Sequence, residues 1–136
     1  MKSILVLCTG NSCRSQMAEG VLKFYGAGRV EAESAGSEPS RVNPIAIRVM
    51  QEIGIDISAH RSKHLKEFAG RDFDLVITVC DNADRSCPNF PAKTQRLHWP
   101  FPDPPHGKGE TEAVLDEFRR VRDAILERFK TLAESL

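Results

Sequence analysis

The sequence predicts an α/β fold, a four-stranded parallel sheet in the order 2-1-3-4 flanked by helices, and two observations carry that reading. Short continuous apolar runs alternate with helical apolar stripes along the chain, the pattern of strands interleaved with helices. The run Asp74 to Val79, DLVITV, is almost unbroken, as expected of a central parallel strand covered on both faces.

The first strand is expected near Lys2 to Leu7. Arg14 to Tyr25 then reads as a helix with Met17, Ala18, Val21, Leu22 and Tyr25 on one face, ended by Gly26 and Gly28. Val30 to Ser34 is a second strand, closed by Ala35-Gly36. Asn43-Pro44 has the form of a cap followed by proline at the first helical position; Ala46, Val49, Met50 and Ile53 stripe that helix before Gly54 stops it. Between Asp56 and Arg71 the one expected element is a short helix capped by Ser62 and running through Phe68. After the central strand, Asp81 to Pro91 is polar and turn-rich. Gln95 to Trp99 is a last short strand, and PFPDPPHGKG is a proline-glycine loop. Glu110 to Ala133 closes the chain as an amphipathic helix with the stripe Val114, Phe118, Val121, Ile125, Phe129 and Leu132.

The chain's 136 residues carry no net formal charge and no basic stripe, which argues against nucleic acid and membrane surfaces as partners. An early lysine followed by a short apolar run is too little for a signal peptide or a membrane span, so a cytoplasmic protein is expected, a monomer formed by residues 1–136 as one catalytic domain. In that compartment the four cysteines, Cys8, Cys13, Cys80 and Cys87, are expected as thiols with transient or catalytic roles. Their spacings do not match the paired knuckles of a zinc site.

The chemistry concentrates in Cys8 to Ser15, CTGNSCRS. A cysteine closing the first strand, a turn permitted by Gly10 and Asn11, and a helix opening at Arg14 would converge backbone N–H groups on one point. Such a nest, built from Thr9, Gly10, Asn11, Ser12, Cys13 and Arg14, binds a tetrahedral oxyanion, favours the Cys8 thiolate, and lets the Arg14 guanidinium grip two oxygens. Ser15 can donate its hydroxyl hydrogen to that thiolate. Taken alone Cys8 could equally be a small apolar residue in a buried strand, but its company makes it a nucleophile. Cys13, by helix phase, points away from the anion.

In sheets of this kind ligands sit beyond the carboxyl ends of the strands, where Cys8, Cys80 and the Asp103 loop all fall. With the first and third strands adjacent, about 4.8 Å apart, the Cys8 and Cys80 thiols are expected to face each other. A disulfide requires Cα atoms about 4.4–6.8 Å apart, whereas seven helical steps would hold Cys80 and Cys87 roughly 10 Å apart. For those two to bond, the intervening segment must loop out. Asp81, Asn82, Asp84, Arg85, Ser86 and Asn89 favour turns over helix and bury little, which suits a redox switch. His60, His64, His98 and His106 lack ligand spacing and read as surface or packing residues.

At CTGNSCRS the chain resembles the low-molecular-weight phosphatase fold, and with VCDNADRSCP and HWPFPDP it resembles the thioredoxin-coupled arsenate reductases of that fold over nearly its full length. The resemblance implies that Cys8 attacks arsenate held by the loop and Arg14, with Asp103 as general acid. Cys80 would then form a transient Cys8–Cys80 disulfide, and Cys87 a Cys80–Cys87 disulfide reduced by thioredoxin, with no tightly bound cofactor. Pro105 and His106 stand where related phosphatases place aromatic residues, so no aryl pocket is expected. Some members of the reductase family bind potassium at positions matching Asn11, Glu19, Ser34 and an acid at the position of Lys63; here the lysine ammonium is expected to take the cation's place. Two other functions fit the same motifs: a phosphatase whose extra thiols guard its nucleophile, and a non-enzymatic oxyanion-binding redox sensor.

Overall fold

The structure, a computed structural model, describes residues 1–136 apart from Ala69, Pro88, Asn89, Pro91 and Ala92 and the side chains of Asp84 and Ser86. Four parallel strands, β1 (Lys2–Leu7), β2 (Val30–Ala35), β3 (Leu75–Thr78) and β4 (Gln95–His98), form one sheet in the order β2-β1-β3-β4. That is the expected order, and the two central strands bear it out: Ile4 to Leu7 and Val76 to Ile77 are buried without interruption. β4, at the edge, is largely exposed.

The helices follow from local signals. α1 (Arg14–Tyr25) buries Met17, Ala18, Val21 and Leu22, while Tyr25 stays half-buried. α2 (Pro44–Gln51) starts as expected, with the Asn43 side chain accepting from the Ile45 N–H and proline at the first position. Ser62 is not a helix cap. Its hydroxyl donates to the Gly10 carbonyl at 3.0 Å, and the following Leu65–Phe68 is a single 3₁₀ turn.

The segment expected to prefer turns forms instead a short helix, α3 (Asp81–Ser86). Cys80 caps it, its Sγ accepting from the Ala83 N–H at 3.4 Å, and Ala83 is buried against the core; one capping sulfur and one apolar contact outweigh the weak helical propensity of Asp81 and Asn82. Asn89, Pro91 and the side chains of Asp84 and Ser86, also read as turn formers, lie outside the described residues. α4 (Glu112–Ser135) begins two residues later than expected because the Thr111 hydroxyl caps it through Val114 N–H. Its stripe gains Leu115 and Ala133, whereas Leu132 is only half-buried. No helix among the described residues is long and apolar enough to cross a membrane.

Candidate active site

β1 delivers Cys8 to its C-terminal end, and residues 9–13 turn directly into the first turn of α1, where unpaired N–H groups and the helix dipole favour an anion. The left-handed residue of this turn is Asn11, with φ of 46°, and not Gly10, whose absent Cβ would meet only ordinary contacts. Asn11 takes the strain because its side chain is fully used. Its Oδ1 accepts from the Lys63 N–H at 2.8 Å and from Gln16 Nε2 at 2.9 Å. Its Nδ2 donates to Ser15 Oγ at 2.8 Å, which leaves the Ser15 hydroxyl proton for Cys8 Sγ, 2.9 Å away. Gln16 Nε2 also donates to the Asn11 and Arg61 carbonyls, so its Oε1 faces His60 and makes His60 Nδ1 a donor at 3.1 Å. One buried chain with a single donor direction thus runs from His60 through Gln16, Asn11 and Ser15 to the nucleophile. Gln16 was not singled out in the sequence and His60 was read only as a surface or packing residue, since neither lies in the loop motif.

The loop is also clamped through its carbonyls. Thr9, Gly10 and Ser12 accept from the N–H groups of Glu38, Ser40 and Asn43 at 2.9, 3.2 and 3.0 Å. Gly36 passes beneath so closely that a Cβ there would lie 2.3 Å from the Thr9 carbonyl oxygen and 2.6 Å from that of Cys8. A glycine after a strand carries no sign of such an approach.

A cavity of about 110 Å³ opens over Cys8, lined by Thr9, Gly10, Ser12, Cys13, Arg14, Asp103 and His106. Arg14 Nη1 donates to the Phe101 carbonyl at 3.0 Å, and its Nη2 lies 3.4 Å from Asp103 Oδ1. His106 Nε2 is 3.0 Å from the same carboxylate oxygen, so this histidine, exposed as expected of a surface residue, also lines the cavity mouth. Cys13 lines the cavity too. Burial pushes its thiol up to about 12, which keeps it protonated.

Cys80 reaches the same end of the sheet. The β1–β3 register pairs Leu7 with Thr78, so Cys80 falls one step further out, opposite Thr9. Its Sγ lies 3.5 Å from Thr9 Oγ1. Cys87 ends α3 at a half-buried position, and no disulfide is formed among the described residues.

The residues aligned with a potassium site are already committed. Glu19 is buried and accepts from Lys23 Nζ at 2.6 Å and from the Ser34 hydroxyl, and Lys63 Nζ lies 3.4 Å from its Oε1. Burial opposes the Glu19 charge, but the hydrogen bonds from Lys23 and Ser34 and the nearby His60 and Lys63 outweigh it and lower its pKa. With Asn11 Oδ1 also taken, these groups do not fit an added cation. No cluster of three or more histidine, cysteine or acidic side chains that could hold a metal occurs among the described residues.

The pattern that describes low molecular weight phosphotyrosine protein phosphatases matches residues 3–136. The chain belongs to that family. Within this phosphatase family it is 48% identical to an arsenate reductase of Halalkalibacterium halodurans over 98% of the chain and 96% of that relative. It superposes with a TM-score of 0.80 on a solved arsenate reductase in its phosphate binding state, at 40% identity and covering 99% of this chain and 98% of the other. A thioredoxin-dependent arsenate reductase of Corynebacterium glutamicum gives a TM-score of 0.72 at 29% identity, covering all of this chain and 64% of that one.

Proposed function

We propose that this protein is an arsenate reductase that works through Cys8, Cys80 and Cys87 in turn and is regenerated by reduced thioredoxin. The observation that carries the reading is a second thiol beside the oxyanion loop: Cys80 Sγ lies 3.5 Å from Thr9 Oγ1, at the head of a short helix capped at its other end by Cys87. A phosphate ester hydrolase needs only the first thiol. Arsenate as substrate is supported by the full-length likeness to proteins named arsenate reductase, and thioredoxin as donor by the thioredoxin-dependent relative.

Arsenate binds the loop with Arg14 on its oxygens. Cys8 Sγ attacks arsenic, an As–O bond breaks, and Asp103 protonates the leaving oxygen, which departs as water. Cys80 then attacks Cys8 Sγ. The S–S bond forms as the S–As bond breaks, its electron pair stays on arsenic, and arsenic leaves reduced from the pentavalent to the trivalent state as arsenite. Cys87 next attacks Cys80, releasing Cys8 as a thiol, and the thioredoxin dithiol reduces the resulting Cys80–Cys87 disulfide. An intact α3 would hold those two residues about 10 Å apart, so this step requires α3 to unwind.

The test is Cys87→Ser. The variant should release about one equivalent of arsenite per chain and stop in the presence of arsenate, thioredoxin, its reductase and NADPH. The family's phosphatase chemistry is the second reading, because Cys8, Arg14 and Asp103 would serve hydrolysis as well. Continued cycling of that variant on an aryl phosphate, with no arsenite from wild type, would establish it instead, and no turnover of either substrate would leave an oxyanion sensor.

A further inference from the structure

We propose that Asn82 is a positioning residue for the second thiol: it turns the Thr9 hydroxyl proton toward Cys80 Sγ and so readies that sulfur as a nucleophile. This rests on the relay proposed above, in which Cys80 attacks Cys8. Asn82 Nδ2 donates to Thr9 Oγ1 at 2.9 Å. An amide nitrogen can only donate, so the Thr9 oxygen is the acceptor there and its own hydrogen is free to point elsewhere. Cys80 Sγ is 3.5 Å from that oxygen, on a geometry in which either atom could donate, and the Asn82 contact decides in favour of Thr9. The Ala83 N–H reaches the same sulfur at 3.4 Å. Two donors therefore converge on Cys80 Sγ, the atom that attacks Cys8 in the relay.

The contact also ties the two moving parts together. Thr9 belongs to the loop that holds the substrate, and Asn82 belongs to the first turn of α3, whose first residue Asp81 is held by His98 Nε2 at 2.9 Å. Thr9 Oγ1 is thus shared between the cavity wall and the helix that must unwind. While α3 is intact, Cys80 is kept beside the loop with donors on its sulfur. Once Cys80 has bonded to Cys8, its sulfur belongs to a disulfide, a poor acceptor, and the Thr9 and Ala83 hydrogen bonds weaken. Unwinding α3 then costs less than it did before the first disulfide formed.

The experiment is peptide-resolved alkylation of Cys80 by iodoacetamide across pH 5 to 9 in the full chain, compared among wild type, Asn82→Ala, Asn82→Asp, Thr9→Val and the Asn82→Ala/Thr9→Val pair. Asn82 is exposed, so its variants should fold. Loss of one hydrogen bond to the attacking sulfur should slow Cys80 alkylation about tenfold near neutrality. Asn82→Asp, which keeps the shape but turns the donor into an acceptor and draws the Thr9 proton away, should slow it at least as much. The double variant should be no slower than Thr9→Val alone, since Asn82 acts through Thr9. Wild-type profiles in both Asn82 variants, or additive effects in the pair, would overturn the proposal. Repeated arsenite turnover by Cys80→Ser would instead overturn the relay and leave the alkylation result standing, so the two failures are distinguishable.

Discussion

The loop that starts at Cys8 and the short helix capped by Cys80 both follow a thiol at the end of a central strand, yet they are held in opposite ways. Every polar side chain of the loop's lower layer is buried and paired: Asn11, Ser15 and Gln16 form one directed chain, and the loop carbonyls are clamped from residues 38–43. α3 is six residues long; among its described side chains Asp81, Asn82 and Arg85 are exposed and Ala83 is set into the core. A buried network that is fully satisfied resists local change, because any broken bond leaves a desolvated group without a partner. An exposed helix exchanges its bonds with water at little cost. The difference matches the division of labour proposed for them, a rigid anion cradle and a segment that must open.

That contrast can be broken in order of effect. Cys8→Ser should abolish arsenite formation, lowering kcat/KM by at least about a thousandfold, with circular dichroism unchanged. Gly36→Ala pushes a methyl group into the carbonyls of Cys8 and Thr9. It should lower stability by about 1–3 kcal/mol in urea unfolding and weaken arsenate turnover more than tenfold, because the cradle itself must shift. Asn11→Ala removes the joint of the buried chain and strands the Lys63 N–H, while Gln16 Nε2 keeps the Asn11 and Arg61 carbonyls, at a cost of about 2 kcal/mol by the same measurement. It should leave amide exchange of residues 81–86 as in wild type, which sharpens the separation of the two regions. In the reduced protein those α3 amides should exchange faster than those of α1, and conversion to the Cys80–Cys87 disulfide should remove their protection altogether.

The smallest effect tests whether the loop's order merely reflects global stability. Glu52, on the seam between α2 and α4, is brought down to about 2 chiefly by its hydrogen bond from Arg119, with Arg122 adding a second. A carboxylate whose folded pKa is depressed contributes stability above its unfolded pKa of about 4.5 and loses it as the pH falls towards 2. Glu52→Gln should therefore lower Tm at neutral pH by about 2 °C, a small shift because the pair is partly exposed, and the difference should vanish by pH 2 with kcat untouched.

Much of the site was legible along the chain. The Cys8 to Ser15 motif, the apolar runs of β1 and β3, and the Asp103 turn each announce themselves by residue types at fixed spacing, because strand ends, helix starts and anion nests are built from neighbours in sequence. Cys80 could be placed at the mouth of the site by the same logic, though not opposite the correct loop residue. Its register against Thr9 depends on the pairing of β1 with β3, which no local pattern encodes.

What the sequence by itself determined is the kind of chemistry and the alternation of strands with helices, since both follow from local backbone geometry and hydrophobic period. Only the tertiary structure decided who serves the nucleophile: Gln16 and His60 completing its hydrogen-bond chain, Gly36 making room beneath it, His106 at the cavity mouth, Lys63 against Glu19, and Asn82 on Thr9. Most of these contacts join residues tens of positions apart. Their donors and acceptors find one another only after burial of the sheet faces has brought the segments together, so the physical cause of each lies in packing and not in the neighbours it has along the chain.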